Sequence, residues 1–422
     1  MFLPLKCCKF ATGKNRMKRT GSTDMPLHGG KVPPWLYQRM TRLGRAITEM
    51  IIEEYGTDEF LRRLSNPFWF QSLGSVLGMD WHSSGITTSV MGALKRGINP
   101  ITGDLGIFVC GGRGKYSRET PHELFQYADK TGINGQKLVQ NSRLSAKVDN
   151  NAIQDGFQLY LHSFVVSKEG KWAVIQQGMN QTDRMARRYH WHSTSLHSFV
   201  EEPHTSVCGI NQGTLLNLTD KKARSARNGI VKITGEKPWK MMQEVQKLTM
   251  PAHHGVHASD INLKRLGAIL PLAYEYGIDN FESLMLLKGL GPKTLRSLSL
   301  VSEIIHGTPT RFSDPARFSF AHGGKDGQPF PVQTHVYDQT INELNDALLR
   351  AKIQQSDKKQ AFKQLHKINK SIELNFKEKT EKYSSYLQKE RKESPSYGGM
   401  TAGSDVGTAN NIKKYPKQLS LF

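Results

Sequence analysis

Apolar residues are concentrated before residue 310 of this 422-residue chain, and that asymmetry decides where a core can form. Hydrophobic residues make up only 37% of the whole, but their concentration makes a core possible there, and the length allows two or three domains or one large domain with appendages. The periodicities there are of both kinds. Leu43, Ile47, Met50 and Ile51 recur at helical spacing within residues 35–80, with Gly56 read as the stop. Leu105–Val109 is a short apolar run entering Cys110-Gly111-Gly112, as a buried strand would. Phe157–Val166 alternates, Ser167-Lys168-Glu169-Gly170 is a turn, and Lys171–Gln177 returns, so a β-hairpin is expected. Arg184, Arg187 and Arg188 are placed on one face of a helix ending at Tyr189-His190-Trp191. The resulting class is α+β: an extension over 1–16, a mixed α/β domain over 17–236, and a helical region over 237–310. A glycine-rich loop packing on the body (311–335), a lysine-rich helical segment (336–392) and a flexible tail (393–422) follow.

Within the helical region, Leu287-Lys288-Gly289-Leu290-Gly291-Pro292-Lys293-Thr294-Leu295 lies between two runs of helical spacing. Asp279 and Glu282 stand three apart, as an N-cap and its reciprocal partner do. Leu284 and Leu287 share a face, Gly-Leu-Gly ends the first helix, and Pro292 suits the first position of the second. Leu295, Leu298 and Ile305 give that helix a buried stripe. These residues resemble the hairpin of a helix-hairpin-helix element, which binds the DNA backbone. Gly289 and Gly291 let backbone approach a phosphate, the N–H groups at Lys293 and Thr294 donate to it, and Lys293 adds charge. The bland alternative is an αα-turn with a glycine cap.

Lysine and arginine number 58 against 37 acids, a formal +21, which points to a polyanion. A membrane surface competes, but no apolar run approaches the roughly 18 residues of a span, so no membrane partner is expected. The four cysteines, Cys7, Cys8, Cys110 and Cys208, fit neither a disulfide framework nor a zinc spacing, and a cytoplasmic home close to the nucleoid is expected. Lys6 and Lys9 break the apolar start, which does not read as a signal peptide; Met17 is an alternative start.

Three loops combine glycines with cations: His28-Gly29-Gly30-Lys31, Gly111-Gly112-Arg113-Gly114-Lys115 and His322-Gly323-Gly324-Lys325. Freed backbone N–H groups beside a cation make an anion nest, and Lys31, Arg113, Lys115 and Lys325 are the expected phosphate contacts. None has the spacing of a nucleotide-triphosphate loop. For catalysis, Asp149, Asp155 and His162 form the best local set for a Mg2+ or Mn2+ ion beside a phosphodiester, or for acid-base work. For any single histidine, structural hydrogen bonding is the commoner role. Glu169-Gly170-Lys171 spells the E-x-K of a nuclease strand, but it falls in the hairpin turn, which explains it fully.

The polar tail ends Gln418-Leu419-Ser420-Leu421-Phe422, an apolar plug that nothing local buries. These residues resemble the pentapeptide by which bacterial proteins dock on the sliding clamp; the resemblance implies a hydrogen bond from Gln418 and a pocket for Leu419, Leu421 and Phe422. Further strings, from Lys18-Arg19-Thr20-Gly21-Ser22 and Pro26–Lys31 through His82-Ser83-Ser84-Gly85, Val174–Met179, Arg187–Trp191 and Phe320–Gly327, resemble a prokaryotic domain-of-unknown-function family, number 763. That likeness runs from Met17 to about residue 370 and implies no known reaction. The expectation is a DNA-binding genome-maintenance protein near the replication and repair machinery, acting as a nuclease or other phosphodiester enzyme. The alternatives are a non-catalytic adaptor tethered to the clamp and, more weakly, an RNA-processing protein.

Overall fold

The structure, a computed structural model, describes residues 32–79, 84–180, 182, 185–247, 261–316 and 334–367. The chain begins with helices α1 (Pro34–Leu64), α2 (Pro67–Val76), α3 (Gly85–Ile98) and the short α4 (Thr102–Leu105). Strand β1 (Ile107–Arg113) follows, then α5 (Lys115–Arg118), α6 (Thr120–Thr131) and α7 (Gly135–Lys147), the last running into a π-turn at Val148–Ala152. Next come β2 (Gln158–Ser167), β3 (Trp172–Asn180), β4 (Met185–His192), β5 (Ser206–Cys208) and β6 (Thr214–Leu215). The second half is α8 (Arg224–Gly235), α9 (Pro238–Lys247), α10 (Leu263–Glu275), α11 (Phe281–Leu286), α12 (Pro292–His306), β7 (Phe312–Ser313) and α13 (Thr334–Arg350). A last helix covers 355–367. Strands β1 to β5 form an antiparallel meander in that order, and β6 pairs with β7.

This α+β sheet is buried on both faces. Cys110, Phe164, Val174, Tyr189 and Trp191 pack toward α6, α7 and the helices from α8 to α12. Ile107, Val109, Val165, Ala173 and Ile175, the residues of opposite parity, pack toward α1, α2, α3 and α13. The first core runs without a break from the sheet into residues 266–301, and Leu344, Ala347, Leu348, Ala361 and Leu365 seal the second.

The β2–β3 hairpin forms as expected, with Gly170 at φ 79° in its turn. Two local readings change. Gly56 (φ 85°) kinks α1 without ending it, because Phe60, Leu61 and Leu64 bury beyond the kink. Residues 185–192 are a strand, not a helix. Arg187 lies on the Tyr189 and Trp191 side of β4, and Arg188 on the His190 side. No helix of the described residues is long and apolar enough to cross a membrane.

Candidate nucleic-acid interface

The Gly-Leu-Gly hairpin joins α11 to α12 as the sequence predicts, with different caps. Asn280, not Asp279, caps α11 by accepting from Ser283 N (2.8 Å), while Glu282 accepts from Phe199 N (3.1 Å). Gly289 has φ 88°, a conformation that a side chain resists, and Leu290 between the glycines is 2% exposed. Lys147 Nζ donates to Leu290 O (2.9 Å), Asn151 Nδ2 reaches the same carbonyl (3.4 Å), and Gln154 Nε2 donates to Pro292 O (2.8 Å). The turn is thus bolted to the π-turn region. Gly291 is the N-cap of α12 with no side-chain cap, and a Cβ there would meet open space. Lys288, Gly289, Pro292 and Lys293 are exposed, and the first N–H groups of α12 have no intrahelical acceptor. Thr294, expected to contact phosphate, is instead fully buried, because its side chain turns inward under α12, so the exposed contacts of the turn are Lys288, Gly289, Pro292 and Lys293.

The Gly111–Lys115 loop is built at the end of β1. Gly111, Gly112 and Gly114 have φ of 80°, 139° and 60°. Glu123 Oε2 accepts from Gly111 N (2.6 Å), and Lys95 Nζ donates to Gly111 O (2.8 Å) while pairing with Glu123. Arg113 and Lys115 stay exposed, Arg113 over the Tyr160 ring (5.8 Å) and Lys115 over Tyr116 (5.5 Å). A chain of contacts links the two loops. Leu290 contacts Asn151, Asn150 Oδ1 accepts from Leu159 N (3.3 Å), and Tyr160 O accepts from Gly114 N (2.8 Å). At 3.8 Å per chain step and similar spans across each contact, that path is no more than roughly 30 Å, under one DNA turn. Lys31, Lys325 and Gln418, Leu419, Leu421 and Phe422 lie outside the described residues.

Asp149, Asp155 and His162 are brought to the same side of the sheet, but into the interior. Asp149 is fully buried and accepts from Gln176 Nε2 (2.6 Å), Trp191 Nε1 (2.9 Å) and His204 Nε2 (2.5 Å). Gln176 Oε1 can only accept, so His162 Nδ1 donates to it (2.8 Å) and His162 Nε2 accepts from the Ser142 hydroxyl (2.8 Å). Burial raises the Asp149 carboxyl, with His204 opposing, and burial lowers His162 to about 4. Asp155 accepts from Arg187 Nη1, Tyr189 Oη (each 2.8 Å) and Phe157 N (3.0 Å); burial raises its carboxyl against the pull of Arg187. Arg187 is fully buried and also pairs with Asp314 through both Nη atoms (3.0 and 2.8 Å). Burial opposes its charge, but the two carboxylates outweigh burial and hold it charged. Asp155 therefore anchors β4 to the segment at β7. Among the described residues no group of three or more His, Cys, Asp or Glu is arranged to hold a metal ion.

Ser142, Gln176, Trp191, His204 and Asp314 were missed from the sequence. The one local signal was Gln176-Gln177, a polar pair inside an otherwise apolar strand. The low His162 value has a testable consequence. Its ring is neutral in the fold and protonated in the unfolded chain between about pH 4 and the usual 6.5, so the unfolded state binds more protons there. The neutral ring's stability is complete above 6.5 and is lost as pH falls to 4, on the order of 3 kcal/mol in all. The raised Asp149 and Asp155 act in the opposite sense near the lower limit. Urea unfolding across this window should show a shallower loss for His162→Gln than for the wild type; equal slopes contradict the assignment.

The family described as "Protein of unknown function (DUF763)" matches residues 21–332, well over half of the chain, and the chain belongs to that family. No curated protein and no solved structure matches it.

Proposed function

We propose that this member of the family is a cytoplasmic DNA-binding protein of genome maintenance that grips duplex backbone and is tethered to the bacterial sliding clamp by its tail. The observation that carries the reading is the hairpin. Gly289 and Gly291 stand outward on a turn fixed by Lys147 and Gln154, with exposed Lys288 and Lys293 beside the uncapped start of α12. The neighbouring Gly111–Lys115 loop gives a second set of cations within the reach of one duplex, and the +21 charge agrees in sign. Lys31 and Lys325, from the His-Gly-Gly-Lys strings of the sequence, would add phosphate contacts, and Gln418, Leu419, Leu421 and Phe422 would dock in the clamp's apolar pocket.

The adaptor reading is favoured over the phosphodiester enzyme by the state of Asp149, Asp155 and His162. Each has its hydrogen-bonding capacity committed to Gln176, Trp191, His204, Arg187, Tyr189 or Ser142, and none faces solvent. The enzyme reading rests on the Ser142–His162–Gln176–Asp149 chain alone, in which the Ser142 hydroxyl faces a neutral imidazole nitrogen. Two assays separate the readings. Supercoiled, linear and branched DNA incubated with the protein and Mg2+ or Mn2+ should stay uncut while bound; cleavage abolished by His162→Gln would reverse the preference. Removal of Gln418–Phe422 should abolish clamp pull-down with DNA affinity unchanged, and retained pull-down refutes the tether.

A further inference from the structure

Of the cation–aromatic pairs among the described residues, four are joined by their contacts into one track beside α3. At one end Lys115 stands over Tyr116, which packs against Gly112, where a Cβ would lie 3.3 Å from the Tyr116 Cβ. Next, Arg113 covers Tyr160, whose hydroxyl is bonded with Thr88 of α3. One turn along, Gly92 leaves room for the Tyr37 hydroxyl; a Cβ there would stand 2.9 Å from that oxygen. One more turn brings Arg96 over the Tyr37 ring (5.8 Å), and two residues back on α1 the ring of Trp35 carries Arg39 (5.5 Å). Thr88, Gly92 and Arg96 are four apart, so they form one row of about 12 Å. Trp35 is 56% and Tyr116 55% exposed at its two ends, and Arg96 and Arg113 are exposed between them.

We infer that this track binds single-stranded DNA. The exposed rings of Trp35 and Tyr116 offer stacking surfaces to unpaired bases at the two ends. The exposed Arg96 and Arg113 guanidinium planes lie over the half-buried Tyr37 and Tyr160 between them, and the positive charge follows the backbone. A duplex has no unstacked base to offer such a surface, whereas a single strand does. The glycine loop that carries Arg113 and Lys115 of the track is also the loop linked through Asn150 and Leu159 to the hairpin. The inference extends the duplex-binding reading, and it stands or falls on a separate ligand.

The test uses the full chain with labelled oligo-dT and, in parallel, a duplex of equal length, read by fluorescence anisotropy. Trp35→Ala should weaken oligo-dT binding about tenfold or more and leave duplex affinity unchanged, and Tyr116→Ala should weaken oligo-dT binding by a similar factor and by more than it weakens duplex binding. Their high exposure keeps both variants folded, which circular dichroism checks. Arg96→Lys, which keeps the charge and loses the plane, should weaken oligo-dT as well. Lys293→Glu should do the reverse, lowering duplex affinity while oligo-dT binding holds. The track is overturned if the wild type does not bind oligo-dT, if Trp35→Ala and Tyr116→Ala leave that binding intact or lower both ligands equally, or if oligo-U binds more tightly. Oligo-dT binding without any duplex binding would instead sink the hairpin reading alone.

Discussion

Replacing Gly111 by alanine should cost about 3–5 kcal/mol, a drop in melting temperature of about 5 °C, and should displace the Gly111–Lys115 loop. A Cβ at Gly111 would sit 2.2 Å from the His162 carbonyl oxygen and 2.5 Å from Thr120 Oγ1. Neither can withdraw cheaply. The His162 carbonyl belongs to β2 opposite β1, where Gly111 pairs with Ser163, and Glu123 and Lys95 clamp the Gly111 backbone from both sides. The φ of 80° adds the ordinary penalty for a side chain there. Gly132→Ala separates the two terms. Gly132 has φ 75° with nothing within 4 Å of its Cβ position, so it should lose only about 1 kcal/mol. Similar losses for both variants in urea unfolding contradict the close-packing account.

Arg187→Ala should lose about 3–5 kcal/mol, because it leaves Asp155 and Asp314 in a dry site without the guanidinium between them. The sign of its pH dependence is fixed by the same geometry. Burial already raises the Asp155 carboxyl, and removal of Arg187 takes away the main opposing charge. A raised carboxyl binds protons that the unfolded chain releases, so the variant loses stability as pH rises through that raised value. Its deficit against the wild type should be larger at pH 8 than at pH 5. A deficit independent of pH would mean that the cluster acts through packing alone. The loss would reach β7 as well, since Asp314 also accepts from Gln212 N (2.8 Å) and Ala316 N (2.9 Å).

What was legible in the sequence was local chemistry. Glycine and proline in close succession mark turns with little help from tertiary context, so Gly289-Leu290-Gly291-Pro292 and the turn at Gly170 were readable from a few residues, whereas the lone Gly56 inside α1 was misread as a stop. Strand β4 was not, because both its faces are covered and the alternation of a half-exposed strand is absent. Arg187 and Arg188, side by side, imitated a polar helix face, while in the fold they serve opposite layers. Arg188 donates to Gln71 Oε1 (2.9 Å) and lies over Phe70 in the α1–α3 layer. The aromatic run Tyr189-His190-Trp191 was the strand signal that should have outweighed them. The side-chain partners of the buried carboxylates lie 27 to 127 positions away, beyond the reach of periodicity. Asp149 and His162 looked like a local pair for a metal; in the fold Gln176 stands between them and satisfies both. The track along α3 was invisible for the same reason, as its rings come from α1, α5 and β2.

If the hairpin at Gly289–Lys293 holds duplex backbone without reading bases, as proposed, the salt dependence of duplex binding for the wild type and Lys293→Glu will show it. The wild-type association constant should fall linearly with salt on logarithmic axes. Lys293→Glu should weaken binding to unrelated duplex sequences alike and make the slope shallower by about one. Unchanged affinity and slope, or a loss confined to particular sequences, would contradict the claim.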